Sequence, residues 1–164
     1  MLHITYALSG TFYVTTEEKR IDTSVASSQI RLLFKFTNDM DKRVVYAYGQ
    51  SQVHKDAIGI FQRHTEVTIN HNTTEDVFLG RVNFKPFGYW KYEIYEVSWI
   101  GTLVLSASTA PSDEDEVLSV EDEHGVVQGK VEEGKLYVTE QTGDEQVQYN
   151  QHPEPSGTNY IWTN

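Results

Sequence analysis

The carboxylates are the first side chains in this sequence to weigh for chemistry. Glycoside hydrolysis needs two of them opposed across a cleft. Glu93 and Glu96 lie within one β-like run, Lys85 to Val97. Residues three apart on a strand point to opposite faces unless a bulge intervenes. Asp113-Glu114-Asp115-Glu116 and Glu121-Asp122-Glu123 offer the oxygens that Ca²⁺ takes. They lack both the ligand spacing and the central Gly of an EF-hand loop, so they read as solvated acidic loop. Asn38, Asp39 and Asp41 supply turn chemistry. The histidines His3, His54, His64, His71, His124 and His152 are scattered. His64 and His71 flank one short strand, with no third ligand spaced to complete a zinc site. No Gly-x-Ser-x-Gly elbow and no Gly-rich phosphate loop occurs. The absence of Cys removes thiolate ligands, a Cys nucleophile and disulfides. The expectation is a protein that is not an enzyme, with no cofactor and no metal.

Aromatic side chains are the richer class, with ten Tyr, seven Phe and three Trp. Tyr46 and Tyr48 share one strand face, and Tyr89, Tyr95 and Trp99 add rings. Such rings form platforms that stack on sugars, or they fill a core or an interface. A chain terminus usually frays. One that closes on Asn159-Tyr160-Ile161-Trp162 reads instead as docked. Tyr137, Tyr149, Tyr160, Ile161 and Trp162 are therefore the expected partner-contact residues.

The elements that would position these groups are strands. In the run from Lys85 to Val97, Pro86 and Gly88 suit a turn. Trp90, Tyr92, Ile94 and Val97 then form the inward side, and Lys91, Glu93 and Glu96 the outward side, with a one-residue slip after Ile94 that a bulge absorbs. This pattern suits the penultimate strand of an immunoglobulin-like sandwich, where a corner Tyr, here Tyr92 or Tyr89, bonds back to the preceding loop. Ile30, Leu32, Phe34 and Phe36 alternate with Arg31 and Lys35, and the run Arg43 to Tyr48 is the hairpin partner. Further strands are expected at residues 2–8, 11–15 and 66–70, with Thr102-Leu103-Val104-Leu105 as the last strand of the sandwich. Gln50 to Gln62 is ambiguous. Val53, Ala57, Ile60 and Phe61 suit one face of a short helix, which Gly59 weakens. Val126 to Val131 and Lys135 to Thr139 flank Glu132-Glu133-Gly134 as a second hairpin. Residues 146–149 and 159–162 read as short strands.

Size and charge set the organisation. The 164 residues suffice for one domain with a full core, plus an appendage. Residues 1–105 hold 11 acids and 11 Lys/Arg, whereas residues 106–164 hold 13 acids against Lys130 and Lys135, which is the whole net charge of −11. The expected division is a neutral immunoglobulin-like antiparallel β-sandwich over 1–106 and an acidic extension over 107–164, with a β-hairpin and a docking arm. That charge is opposite to what nucleic-acid binding needs. No apolar run approaches membrane-spanning length, and the first residues lack the basic and apolar regions of a signal peptide. A soluble protein made in a reducing cytoplasm is expected, binding neither nucleic acid nor membrane.

Three runs taken in order are Phe34-Lys35-Phe36-Thr37-Asn38-Asp39, Gly88 to Glu96, and Val131-Glu132-Glu133-Gly134-Lys135-Leu136-Tyr137-Val138. As a set the chain resembles small virion-associated structural proteins of tailed, often marine, bacteriophages. The resemblance implies a virion component and transfers no catalytic residue. The expectation built on it is a capsid decoration (cement) protein that binds the major capsid protein or other virion proteins, with residues 106–164 making much of the contact. A homo-oligomer is expected by analogy. Two alternatives stand beside it: a head–tail connector, tail or fibre-adaptor component, and a carbohydrate-binding module for host attachment.

Overall fold

A computed structural model describes residues 1–53 and 64–141. Its elements, apart from two short 3-10 turns at Glu17–Lys19 and Ser27–Gln29, are strands: β1 (Leu2–Thr5), β2 (Gly10–Val14), β3 (Ile30–Asn38), β4 (Val44–Tyr48), β5 (Gln50–Val53), β6 (Thr65–His71), β7 (Arg81–Val82), β8 (Gly88–Ser98) and β9 (Val126–Thr139). They form a five-stranded sheet in the order β1-β9-β8-β3-β4 and a second sheet in the order β2-β6-β5, with β7 beside β6. Pairing is antiparallel except for β1 with β9 and β6 with β7. The protein is all-β.

The alternation read in β3 is the alternation observed. Ile30, Leu32, Phe34 and Phe36 are buried, and Arg31 and Lys35 lie half-buried on the other side. Phe34, Phe36, Trp90, Ile94 and Leu136 from one sheet meet Phe12, Val14, Val67 and Ile69 from the other in a single apolar cluster. Aromatic truncation in such a core costs about 3–5 kcal/mol. A smaller cluster, Leu33, Tyr48, Val97, Trp99 and Ala110, lies on the far face of the five-stranded sheet. Residues 99–118 cross that face as an irregular strap, so the sheet is covered on both sides at this end.

Several expectations are corrected. Thr102-Leu103-Val104-Leu105 pairs with nothing in a ladder; Leu103 and Leu105 pack instead against the second cluster. The second hairpin is one continuous strand, β9, matched to β8 from Gly88↔Val138 to Ser98↔Val126. Gly134 reads as a turn residue, yet it serves as a gap: a Cβ there would stand 2.7 Å from the Tyr92 hydroxyl. Because β9 lies between β8 and β1, residues from beyond position 106 form an interior strand of the main sheet.

The slip expected after Ile94 is absent from β8, whose register with β3 is unbroken from Ile30↔Ser98 to Asn38↔Trp90. The irregularities sit on β9, opposite Ile94/Tyr95 and Glu96/Val97. Trp90, Tyr92, Ile94 and Glu96 consequently share the inner face, while Val97 joins the outer cluster. The turn before β8 does use Gly88, at φ +105°, a conformation that favours Gly. The residue that bonds back to this turn is Trp90: its Nε1–H donates to the Pro86 carbonyl at 3.1 Å. Tyr92 instead donates to Glu132 Oε1 at 3.1 Å, and Tyr89 is exposed.

Candidate interaction surface

Strand β8 separates the two carboxylates that sequence alone left open. Glu96 faces inward, 1% exposed, and accepts the backbone N–H groups of Ile21 (3.0 Å) and Asp22 (2.7 Å). A buried carboxylate is tolerable when donors surround it, and these two pin the β2–β3 connection to the sheet end. Asp22 extends the network by accepting from Ser24 and Ser98, and Ser98 accepts from Gln128 Nε2. Those Ser24 bonds, helped by Ser98, hold the Asp22 carboxyl below the usual carboxylate range. Glu93 faces outward between Lys91 and Lys130, both at 3.1 Å, and Glu133 lies 2.6 Å from Lys130. The two carboxylates thus sit on opposite faces, and each has its own partners.

The strap is fastened residue by residue. The Tyr48 hydroxyl donates to the Pro111 carbonyl at 2.7 Å, and Trp99 Nε1–H donates to the Thr109 carbonyl at 3.2 Å. The Gly125 N–H closes on the same Thr109 oxygen at 2.8 Å. Glu114 reaches the Lys35 ammonium and hydrogen-bonds to Tyr46. Burial alone would raise the Glu114 carboxyl; the bonds from Lys35 and Tyr46 outweigh it and hold the group below its ordinary value. Lys35 is raised in return, chiefly by that bond. Glu116 accepts from the N–H and hydroxyl of Ser112, both at 2.6 Å. The acidic run is therefore structural at Glu114 and Glu116. Among the described residues no group of three or more His, Cys, Asp or Glu is arranged to hold a metal ion.

Residues 99–125 contain seven acids and no Lys or Arg. Ile100 (72% exposed), Val117 (89%), Val120 (103%) and Val126 (54%) project from this loop and its junction with β9. A cavity of about 100 Å³ lies between Glu114–Leu118 and Gly125–Val127. It is well below the roughly 300–1,000 Å³ of small-molecule sites. What this end offers is surface: exposed aliphatic side chains among acidic ones.

The aromatic expectations divide. Tyr48 is fully buried, and Tyr46 is half-buried against Glu114 and Lys35, so this pair forms no open platform. Trp99 is core. Tyr137 is half-buried on the outer face of β9, with its ring 4.8 Å from Tyr89 and 6.0 Å from His3. The Lys135–Asp39 ion pair (2.5 Å) stands beside this strip, as Asp39 N–H bonds the Tyr89 carbonyl. Tyr149, Tyr160, Ile161 and Trp162 lie outside the described residues, as do Ala57, Ile60, Phe61 and His54. His64 and His71 pack on different rings, Tyr13 and Tyr6 respectively. His124 bonds the Ser119 carbonyl at 2.8 Å. Sequence reasoning put Glu96 on the wrong face and missed the Tyr89–Tyr137–His3 strip and the Val117/Val120 surface. The first and second are legible in β alternation; the third has no periodic signal.

No protein-family model matches this chain, and neither a curated protein nor a solved structure matches it. No helix among the described residues is long and apolar enough to cross a membrane.

Proposed function

We propose that this chain is a non-enzymatic structural protein of a tailed-bacteriophage virion, a capsid decoration protein that binds the capsid lattice through protein–protein contacts. The observation that carries the reading is the end surface of residues 99–125. Glu114 and Glu116 are engaged in fastening the strap, while Ile100, Val117 and Val120 are left outward beside the exposed Asp115 and Glu121–Glu123. The ordered likeness of residues 34–138 to small phage virion proteins supplies the setting. A chain without Cys that folds around an apolar core suits assembly in a host cytoplasm.

The strand order supports an immunoglobulin-like sandwich as the scaffold. Pairing of β1 parallel to β9 on one sheet, with β2-β6-β5 on the other, matches how such domains divide their strands. The connections β2–β3 and β8–β9 then lie at one end, where such domains carry their binding loops.

The partner is a major capsid protein or another virion protein, with neither nucleic acid nor membrane involved. Residues 140–164, with Tyr149, Tyr160, Ile161 and Trp162, belong to the contact. Deleting them abolishes co-sedimentation with capsids while the thermal unfolding of the sandwich persists. Retained co-sedimentation would contradict the assignment of the arm.

A second reading draws on the Tyr89–Tyr137–His3 strip, flanked by the Lys135–Asp39 pair, whose rings and polar groups suit a sugar. Glycan binding lost on Tyr89→Ala would favour a carbohydrate-binding module for host attachment.

A further inference from the structure

His71, the last residue of β6, packs on the turn that joins β1 to β2. Its ring stands edge-on to Tyr6, with centroids 4.4 Å apart and planes at 67°. Tyr6 is buried and is the one aromatic side chain of that turn. Phe87 packs on the same Tyr6 ring at 5.0 Å, and the Lys85 ammonium lies 4.7 Å from its centroid. His71 Nδ1 is buried and has no hydrogen-bond partner. A neutral imidazole fits this seat with its proton on Nε2, because a buried bare lone pair costs less than a buried N–H without an acceptor.

A second proton has no place here. On Nδ1 it makes a donor that finds no acceptor, on a cation withdrawn from water. The face of a Tyr ring can stabilise a cation, but Lys85 already lies over that of Tyr6. The other charged groups about this junction have places of their own. Arg81 of β7 pairs in the ladder with Asn70. In the loop after β6, Glu75 is held by Arg43 at 2.6 Å, and Asp76 Oδ1 accepts from the N–H groups of Phe78 and Leu79. Glu140 follows Thr139, whose carbonyl accepts from the Tyr6 N–H. Burial first, and then the Lys85 charge, hold His71 below its ordinary value of 6.5.

The turn that Tyr6 anchors is otherwise lightly held. Tyr6 N–H bonds the Thr139 carbonyl at 2.9 Å, and Leu8 N–H bonds the Thr5 carbonyl at 3.1 Å. The Ser9 hydroxyl donates to Asn70 Oδ1 at 3.1 Å. Ala7 sits at φ +66°, a left-handed conformation that a Cβ disfavours, so opening the turn releases strain. We infer that His71 is a proton-operated latch on this turn: a proton on Nδ1 drives the ring off Tyr6, and residues 6–9 open while the sandwich stays folded. In the open turn His71 meets water and takes its proton at the ordinary value. The hold on the turn is therefore fully present above 6.5 and is lost as pH falls through the lower value of the closed form. This inference stands whether or not the chain belongs to a virion.

NMR of the full chain, titrated from about pH 8 to about pH 5, tests it while ordinary carboxylates, near about 4, stay ionised. The His71 ring is expected to titrate below 6.5. Exchange of the Tyr6 and Leu8 amides, corrected for the intrinsic effect of pH, should rise as it does so. The rise is up to about tenfold for each pH unit by which His71 titrates below its ordinary value. Amides in the middle of β3 and β8 keep their protection. His71→Phe keeps a ring against Tyr6 and abolishes the acid response. If that variant disturbs folding, Lys85→Gln decides, at an exposed position: it moves the His71 titration upward and shrinks the response. A wild-type His71 that titrates at or above 6.5 overturns the inference. So do turn amides indifferent to pH, an acid response that survives in folded His71→Phe, or a His71 titration unmoved by Lys85→Gln.

Discussion

Glu96 shows how one residue can look like chemistry and do structural work. Its carboxylate is fully buried, yet it holds the Ile21 and Asp22 N–H groups and so anchors the β2–β3 connection to the sheet end. Glu96→Gln keeps the shape but can present only one acceptor oxygen, and its amide N–H₂ faces a backbone donor. The variant should lose about 2–3 kcal/mol of stability, the scale of a charge-assisted bond lost inside a protein. Urea unfolding at neutral pH measures this, and a loss below about 0.5 kcal/mol would refute the anchoring role. The position was half-legible. Strict alternation from Trp90 through Tyr92 and Ile94 puts Glu96 inward, but a charged residue at a core position argues against its own pattern. Only the donors from a distant loop, some 75 positions earlier, resolve the conflict. The opposite error befell Val97, an apolar side chain that reads as core and is core, though of the cluster on the other face.

At the level of elements, the strands whose apolar residues keep period two were readable: β3 and β4 with the turn at Asn38–Asp41, and the turn into β8. Asn38 makes that first turn by accepting from the N–H groups of Met40 and Asp41. Strand β9 was not readable, because Gly134 after two acids has the composition of a turn. Its true requirement comes from a neighbour, since Tyr92 pairs with Gly134 and fills the space of its missing side chain. Burial, and then the Glu132 carboxylate, push the Tyr92 phenol up to about 12. The hydroxyl therefore stays protonated and donates to Glu132 at neutral pH. Gly134→Ala should force this hydroxyl off Glu132 and cost about 1–3 kcal/mol, as overpacking does. A thermal midpoint within about 1 °C of wild type would contradict this packing role. The strap 99–118 was misread for a related reason. Leu103 and Leu105 signal burial, but nothing local says that they pack across a sheet face rather than join its edge.

For the molecule as a whole, the uneven charge was the most informative sequence feature, and the structure gives part of it a place. Seven of the 13 acids after position 105 lie in the loop that crosses one end of the sandwich, beside the outward Val117 and Val120. The uncharged strands β1 and β2 lie at the edges of the two sheets. An acidic loop end with exposed aliphatic side chains is the surface on which the proposed virion role rests. Mass spectrometry of purified virions of the source phage, scaled to the major capsid protein, tests this claim most directly. A copy number in the hundreds is expected, as a lattice-bound decoration requires. A count near a dozen would move the protein to the neck or tail as a connector or fibre adaptor, and its absence from the particle would contradict the structural role altogether.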